Sequence, residues 1–136
     1  MPAVQWALRN GRPVVEVDLR LASGAGGSRL LIADTGAGSS LSVFELVLDE
    51  EDCLSSGAIP VGRVHLGGAY SGSYPLYLVD VAIAALDFDE PVPAVGVTQI
   101  PAGFAGIAGF KFLSRFHFGN FGKPSRFGLD MLPDPG

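Results

Sequence analysis

Residues 14–34 carry the pattern that most limits how this chain can fold. In VVEVDLRL (14–21), four apolar side chains alternate with three charged ones, which is typical of a strand with one buried face. The segment ASGAGGS (22–28) then predicts a hairpin connection, and RLLIAD (29–34) is a continuous apolar run, as in a strand buried on both faces. The apolar face of the first strand needs a second sheet or a closed barrel to cover it.

Composition favours the same class of fold over the whole chain. Nineteen glycines and ten prolines among 136 residues predict many turns between short strands. Because 48% of the residues are hydrophobic and only 17% are charged, we expect a globular protein, with a single domain over residues 1–136. Further strands are predicted at 3–9, 61–66, 74–84, 92–100 and 125–132, a glycine-rich hairpin tip at 67–73, and a short helix at 110–116.

The segment 42–54 has two interpretations from sequence. Ser42 with Glu45 three residues later fits a capping box, which would start a helix through FELVLDEEDCL. The run LSVFELVL also alternates well enough for a strand, and periodicity does not decide between the two. The acidic residues 49–52 predict a solvated turn.

Several classes of function are disfavoured by charge and residue type. The net charge of −5, with nine scattered Lys and Arg residues, argues against nucleic-acid binding. We expect no membrane association and a cytoplasmic location, since no signal-like N-terminus and no apolar stretch of about 20 residues occurs. Cys53 is a single cysteine in an acidic run that would raise its pKa, so a reactive thiolate is not expected. His65 and His117 lack metal-ligand spacing and are interpreted as structural, so neither metal nor cofactor is predicted.

Asp34 is the residue most suggestive of chemistry. It ends an apolar strand, where an isolated charge is expensive to bury. The following Thr-Gly-Ala-Gly turn could direct the backbone amides of Gly36 and Gly38 at the carboxylate. A second acid close by could also share its proton.

Three segments together resemble the single-domain, retropepsin-like branch of the aspartic proteases. In that family a strand leads into Asp-Thr-Gly-Ala, a glycine-rich flap hairpin follows, and a later Gly-x-x-Gly step precedes a helix with a Phe-Leu pair. The corresponding segments here are LLIADTGAGSS (30–40), LGGAYSG (66–72) and GIAGFKFLSRF (106–116). The resemblance covers residues 13–131. It departs from the family at Gly38, where Ser or Thr is usual, and at Ala108, where a larger aliphatic is common.

The resemblance implies a mainly β fold, a closed antiparallel β-barrel of the retropepsin-like (acid protease) type with one or two short helices. It also implies an aspartic endopeptidase in which two carboxylates share one proton. The chain has one such motif, so Asp34 would meet Asp34 of a second copy in a homodimer. Thr35 would stabilise the pair of Asp34 residues through hydrogen bonds across the two-fold axis. Gly36 would form the turn and contact substrate through its backbone.

A peptide or protein substrate is implied by the same resemblance, with the hairpin tip closing over it as a flap. The residues expected to bind substrate are Ala37, Gly38, Leu66, Gly67, Gly68, Ala69, Tyr70 and Ile107. One alternative is a catalytically inactive retropepsin-like dimer that serves as a peptide-binding or scaffold module. Another is an unrelated small β-barrel with a fortuitous Asp-Thr-Gly, which predicts a stable monomer.

Overall fold

The computed structural model describes residues 2–24 and 26–133. Within these residues the protein is mainly β, with two short helices and 3₁₀ turns at Gly68–Tyr70 and Ala84–Leu86. Ala25, in the predicted hairpin connection, lies outside the described residues. The strands are β1 (Val4–Ala7), β2 (Val14–Arg20), β3 (Gly26–Ala33), β4 (Leu46–Asp49), β5 (Pro60–Leu66), β6 (Gly72–Ile83), β7 (Phe88–Val97), β8 (Gly106–Ala108), β9 (Phe116–Gly119) and β10 (Arg126–Met131), and the helices are α1 (Glu50–Ser55) and α2 (Phe110–Leu113).

Six strands close into a barrel in the order β2-β3-β8-β4-β7-β6, and β6 pairs back onto β2 through Asp18↔Ala82 and Leu19↔Val81. The predicted closed β-barrel is therefore confirmed. Four of its six strand pairings are antiparallel, whereas β3–β8 and β4–β7 are parallel. The reason for the first parallel pairing is geometric: β8 inserts between β3 and β4, which run in opposite directions, so it must be parallel to one of them.

The remaining strands extend and cover this barrel. β5 pairs only with β6 and forms with it the hairpin that contains residues 67–71. A separate antiparallel sheet, in the order β1-β10-β9, packs its apolar side chains onto the barrel core. Strand β2 has one buried face, as the alternation of apolar and charged residues predicted. Val15, Val17 and Leu19 are buried, while the charged residues between them are exposed.

The aromatic residues near the C-terminal end fill the main core. Phe112 and Phe116 meet Phe88 edge-on, with ring centroids 5.4–5.9 Å apart, a geometry that favours the ring quadrupoles. The predicted helix at 110–116 is shorter than expected, because α2 ends at Leu113 and the unpredicted strand β9 begins at Phe116.

The ambiguous segment 42–54 contains both predicted elements in succession, strand β4 and then helix α1. The capping box at Ser42 is wrong, because the helix begins after Asp49, whose carboxylate accepts a hydrogen bond from the Glu51 amide at 2.9 Å. The acidic residues 49–52 form the helix start rather than a turn, where the helix dipole stabilises negative charge. Asp52 also pairs with Arg29 at 2.9 Å.

No helix in the described part of the chain is long and apolar enough to cross a membrane.

The insertion of β8 depends on glycine at position 106. A Cβ atom there would lie 2.2 Å from the carbonyl oxygen of Val47, a clash with backbone that a rotamer change cannot relieve. We expect Gly106→Ala to lower the free energy of unfolding by about 3 kcal/mol. Urea denaturation would measure this loss.

Gly62→Ala is the matched control for this substitution. Gly62 lies on the exposed strand β5, and a Cβ atom there meets nothing within 4 Å. The control should leave the unfolding midpoint nearly unchanged. Equal stability of the two variants would contradict the role assigned to Gly106.

Candidate active site

The Asp34 loop begins where β3 ends and is tied to β8. The amide of Asp34 donates to the carbonyl of Ala108 at 2.9 Å, and the amide of Ala37 donates to the carbonyl of Asp34 at 3.1 Å. The Gly36 amide donates to Asp34 Oδ1 at 2.9 Å, as predicted. The predicted donation from the Gly38 amide is wrong, because within the described residues the Asp34 carboxylate accepts only from Gly36. The side chain of Asp34 is exposed, so the cost of burial is avoided in the single chain.

The rear of the loop is held against the start of α2. The Phe110 amide donates to the carbonyl of Ala37, and the Gly109 amide donates to the carbonyl of Glu45, both at 2.9 Å. A Cβ atom at position 109 would lie 2.7 Å from the Ala37 oxygen. Only glycine therefore lets the two backbones approach this closely.

Gly38 is explained by the conformation of this loop. Its φ is +78°, and a Cβ atom would lie 2.8 Å from the hydroxyl oxygen of Ser42, so a larger residue would be strained. Ser42 Oγ accepts a hydrogen bond from the Ser39 amide at 2.9 Å, and Ser39 Oγ accepts one from the Leu41 amide at 3.2 Å. Hydroxyl groups thus stabilise the turn even though position 38 carries none.

A buried ion pair supports the loop from behind. Glu45 is 4% exposed and accepts two hydrogen bonds from Arg115, at 2.5 and 2.8 Å. Arg115 also lies 3.6 Å from Glu90 and stacks over the Phe88 ring. The hydrogen bond to Glu45 raises the pKa of Arg115 and outweighs the opposing effect of burial. The pair joins the segment before β4 to the end of α2.

A cleft of about 780 Å³ opens beside the Asp34 loop. Its floor is an apolar cluster that includes Ile32, Val47 and Ile107, and the hairpin residues Leu66 and Tyr70 pack against that cluster. The structure thus brings together the loop and the hairpin tip, which are distant in sequence. The residues expected at the site that line this cleft are Asp34, Gly36, Ala37, Gly38, Leu66, Gly67, Gly68, Ala69, Tyr70 and Ile107; Thr35 is an exposed turn residue that does not line it.

The cleft also contains residues that sequence reasoning missed. Arg12 was assigned no role, and His65 was interpreted as structural. Nothing in the local pattern marks either one, because their positions depend on pairing between distant strands. The other lining residues not predicted are Ile32, Phe44, Val47, Gln99, Ile100 and Pro101.

The ionisable side chains at the cleft supply one carboxylate and one hydrogen-bond donor. Asp34 is the one carboxylate among the described residues that line it. Burial and the neighbouring Tyr74 raise the pKa of Tyr70, so its hydroxyl keeps its proton and can donate a hydrogen bond. Within residues 2–24 and 26–133, no group of three His, Cys, Asp or Glu side chains could hold a metal ion.

Cys53 contributes no nucleophile. It is buried and unpaired in the barrel core, and burial followed by the charges of Asp52, Glu50 and Asp49 raises its pKa to about 12. The predicted rise in the pKa of Cys53 is therefore found, with burial rather than the acidic neighbours as the larger cause.

A comparison with solved structures finds distant structural likenesses. A solved structure of a retropepsin-like aspartic protease from Rickettsia conorii is similar to this chain at 16% identity and a TM-score of 0.48, over 87% of this chain and 92% of that chain. A likeness this weak does not establish a shared activity. No protein-family model matches the chain, and no curated protein matches it significantly.

Removing Arg115 should destabilise the protein, since it would leave the buried Glu45 carboxylate without its partner. We expect Arg115→Met to lower the free energy of unfolding by about 2–3 kcal/mol, measured by urea denaturation. Arg20→Met is the matched control, because the Arg20–Asp89 pair has side chains 60% and 51% exposed and such pairs contribute less than about 1 kcal/mol. Similar losses in both variants would contradict a special role for the Glu45–Arg115 pair.

Proposed function

We propose that this protein is a retropepsin-like aspartic endopeptidase that is active as a homodimer. The observation that carries the proposal is the cleft in which an exposed Asp34 carboxylate, held by a glycine turn, faces the tip of the β5–β6 hairpin. The sequence motifs at 30–40 and 106–116, which resemble that family, meet in the structure through the hydrogen bond from Asp34 to Ala108.

The chemistry requires a second carboxylate that one chain does not supply. No other carboxylate among the described residues lines the cleft, whereas peptide hydrolysis by this route needs two acids that share one proton. A two-fold axis beside the Asp34 loop would bring the Asp34 residues of two copies together. The exposure of Asp34 in the single chain leaves it accessible for such pairing.

In the proposed mechanism the two Asp34 carboxyl groups have different tasks. The ionised one accepts a proton from water as the water oxygen bonds to the carbonyl carbon of the scissile peptide. The protonated one donates a hydrogen bond to the carbonyl oxygen and polarises it. The dyad now holds two protons. As the C–N bond breaks, the leaving nitrogen accepts the proton that came from water, and the dyad is left with its one shared proton. A Cβ atom at position 36 would lie 3.2 Å from Asp34 Oδ1, so glycine there leaves the space beside the carboxylate free.

The hairpin tip supplies the flap in this proposal. Residues 66–70 line the cleft, and the side chains of Leu66 and Tyr70 pack on its apolar floor. An extended peptide between flap and floor would find apolar surface for its side chains and backbone groups for pairing as an added strand. The apolar lining favours hydrophobic residues on either side of the cleaved bond.

The homodimer is the first requirement to test. Light scattering across a range of protein concentrations should give a mass of about 28 kDa, twice the 14.1 kDa of one chain. A mass that stays at 14.1 kDa at every concentration would leave Asp34 without a partner and would overturn the proposal. That result would favour the unrelated monomeric barrel.

Asp34→Asn should abolish peptide cleavage while preserving the dimer. An Asn oxygen can still accept the hydrogen bond from the Gly36 amide, so the turn is retained, but the general base is lost. We expect cleavage of a mixed peptide library, followed by mass spectrometry, to fall about a thousandfold or more. Asp80→Asn is the matched control, since Asp80 is exposed on β6 and does not line the cleft.

Two results would contradict the peptidase. Cleavage that persists in Asp34→Asn would show that Asp34 is not catalytic. Peptide binding by a wild-type dimer that cleaves nothing would favour the inactive peptide-binding or scaffold module instead.

A further inference from the structure

Arg12 places a cationic side chain on the wall of the cleft. It precedes β2, in which Val14 pairs with Ile32, and the Ala33 amide donates to the carbonyl of Pro13 at 2.9 Å. If the register of Val14 and Ile32 is continued by two residues, Arg12 falls opposite Asp34. Arg12 therefore lies near the start of the candidate catalytic loop, and it is the one Lys or Arg among the described residues that line the cleft.

The Arg12 side chain has no acidic partner among the described residues. Arg20, Arg29 and Arg115 are each paired with a carboxylate. Among the arginines that form no such ion pair within the described residues, Arg12 is the one that lines the cleft. An unpaired guanidinium presents a planar set of donors that matches a carboxylate in two parallel hydrogen bonds. The cleft thus contains a carboxylate-binding group that the fold itself does not use.

The positive charge of Arg12 stands out from the other residues that line the cleft. The chain has a net charge of −5, yet the described residues that line the cleft include one carboxylate, on Asp34, beside the guanidinium of Arg12 and the imidazole of His65. His65 comes from β5 on the hairpin side. Most of the remaining lining is apolar. An ion pair formed in such surroundings gains strength once a bound peptide excludes water.

We propose that Arg12 is a specificity-determining residue that favours peptides carrying Asp or Glu in the segment bound by the cleft. This inference rests on the proposed peptidase function, because it assigns a substrate class to the same site. The acidic side chain would be bound by the Arg12 guanidinium, while the apolar floor binds its neighbours. Arg12 does not touch the scissile bond in this proposal and takes no part in the chemical step.

The test compares matched peptides on the same protein. Peptides cleaved in the library would be synthesised in pairs that differ only by Glu or Gln at one position. The assay would be run above the ordinary pKa of a glutamate side chain, about 4.3. We expect kcat/KM to favour the Glu peptide about fivefold, as for a partly exposed ion pair. In Arg12→Gln the ratio should fall to about one.

Arg9→Gln is the matched control. Arg9 lies in the same turn and pairs with Arg12 through backbone hydrogen bonds, but it does not line the cleft. The substitution changes the net charge by the same amount and should leave the Glu preference intact. Because each ratio compares two peptides on one protein, any loss of folded or dimeric protein cancels.

The outcomes separate this inference from the function on which it rests. Equal cleavage of Glu and Gln peptides by the wild type, at every position, would overturn the role of Arg12 and leave the peptidase intact. An unchanged Glu preference in Arg12→Gln, or its loss in Arg9→Gln, would also overturn it.

If no peptide is cleaved, binding still tests Arg12. Fluorescence anisotropy would measure binding of apolar-rich, labelled peptides with a single Glu or Gln to Asp34→Asn and to Asp34→Asn with Arg12→Gln. A Glu preference that disappears with Arg12 would support the assignment while the peptidase fails. Equal binding of both peptides would overturn it.

Discussion

Insertion of the three-residue strand β8 between β3 and β4 is the constraint on which the rest of the structure depends. It closes the barrel between two strands that are adjacent in sequence but not in space. It also performs three tasks at once: Gly106 permits the close approach to Val47, Ile107 lines the cleft, and the Ala108 carbonyl binds the Asp34 amide. Fold and candidate site therefore share the same few backbone contacts.

Two glycines at the site, Gly38 and Gly109, are required for different physical reasons. Gly109 allows two backbones to touch, whereas Gly38 adopts a positive φ in the loop after Asp34. The two departures from the family pattern noted in sequence, at Gly38 and Ala108, are consequently not equivalent. Glycine at position 38 is explained by its positive φ in this loop. Ala108 is a fully buried residue whose backbone, rather than its side chain, contacts the Asp34 loop.

The parts of the fold that sequence predicted are those encoded by local patterns. Alternation identified β2, the apolar run identified β3, and the glycine-rich tip identified the β5–β6 hairpin. The segment 42–54 was ambiguous because a strand and a helix follow each other there within ten residues. The capping box failed because the Glu45 side chain forms a tertiary ion pair with Arg115, which no local pattern reveals.

The candidate site was predictable to the extent that a family resemblance marked it. The motif around Asp34, the hairpin tip and Ile107 were named from that resemblance, and they line one cleft. Arg12, His65 and Gln99 were missed, because each reaches the cleft through strand pairing or loop paths that depend on the whole barrel. Short strands such as β9 were missed as well, since three or four residues show no periodicity.

The long sequence separation of the contacts around Asp34 has a consequence for biosynthesis. Residues 34 and 108, joined by a backbone hydrogen bond, are 74 positions apart, and Phe110 lies further still. Contacts this non-local form slowly and only after the intervening chain exists. A ribosome-bound chain that ends before β8 therefore has an Asp34 segment without its support, and the loop acquires its shape only once the last quarter of the domain has emerged. The candidate site would therefore stay unassembled throughout most of the synthesis of this domain.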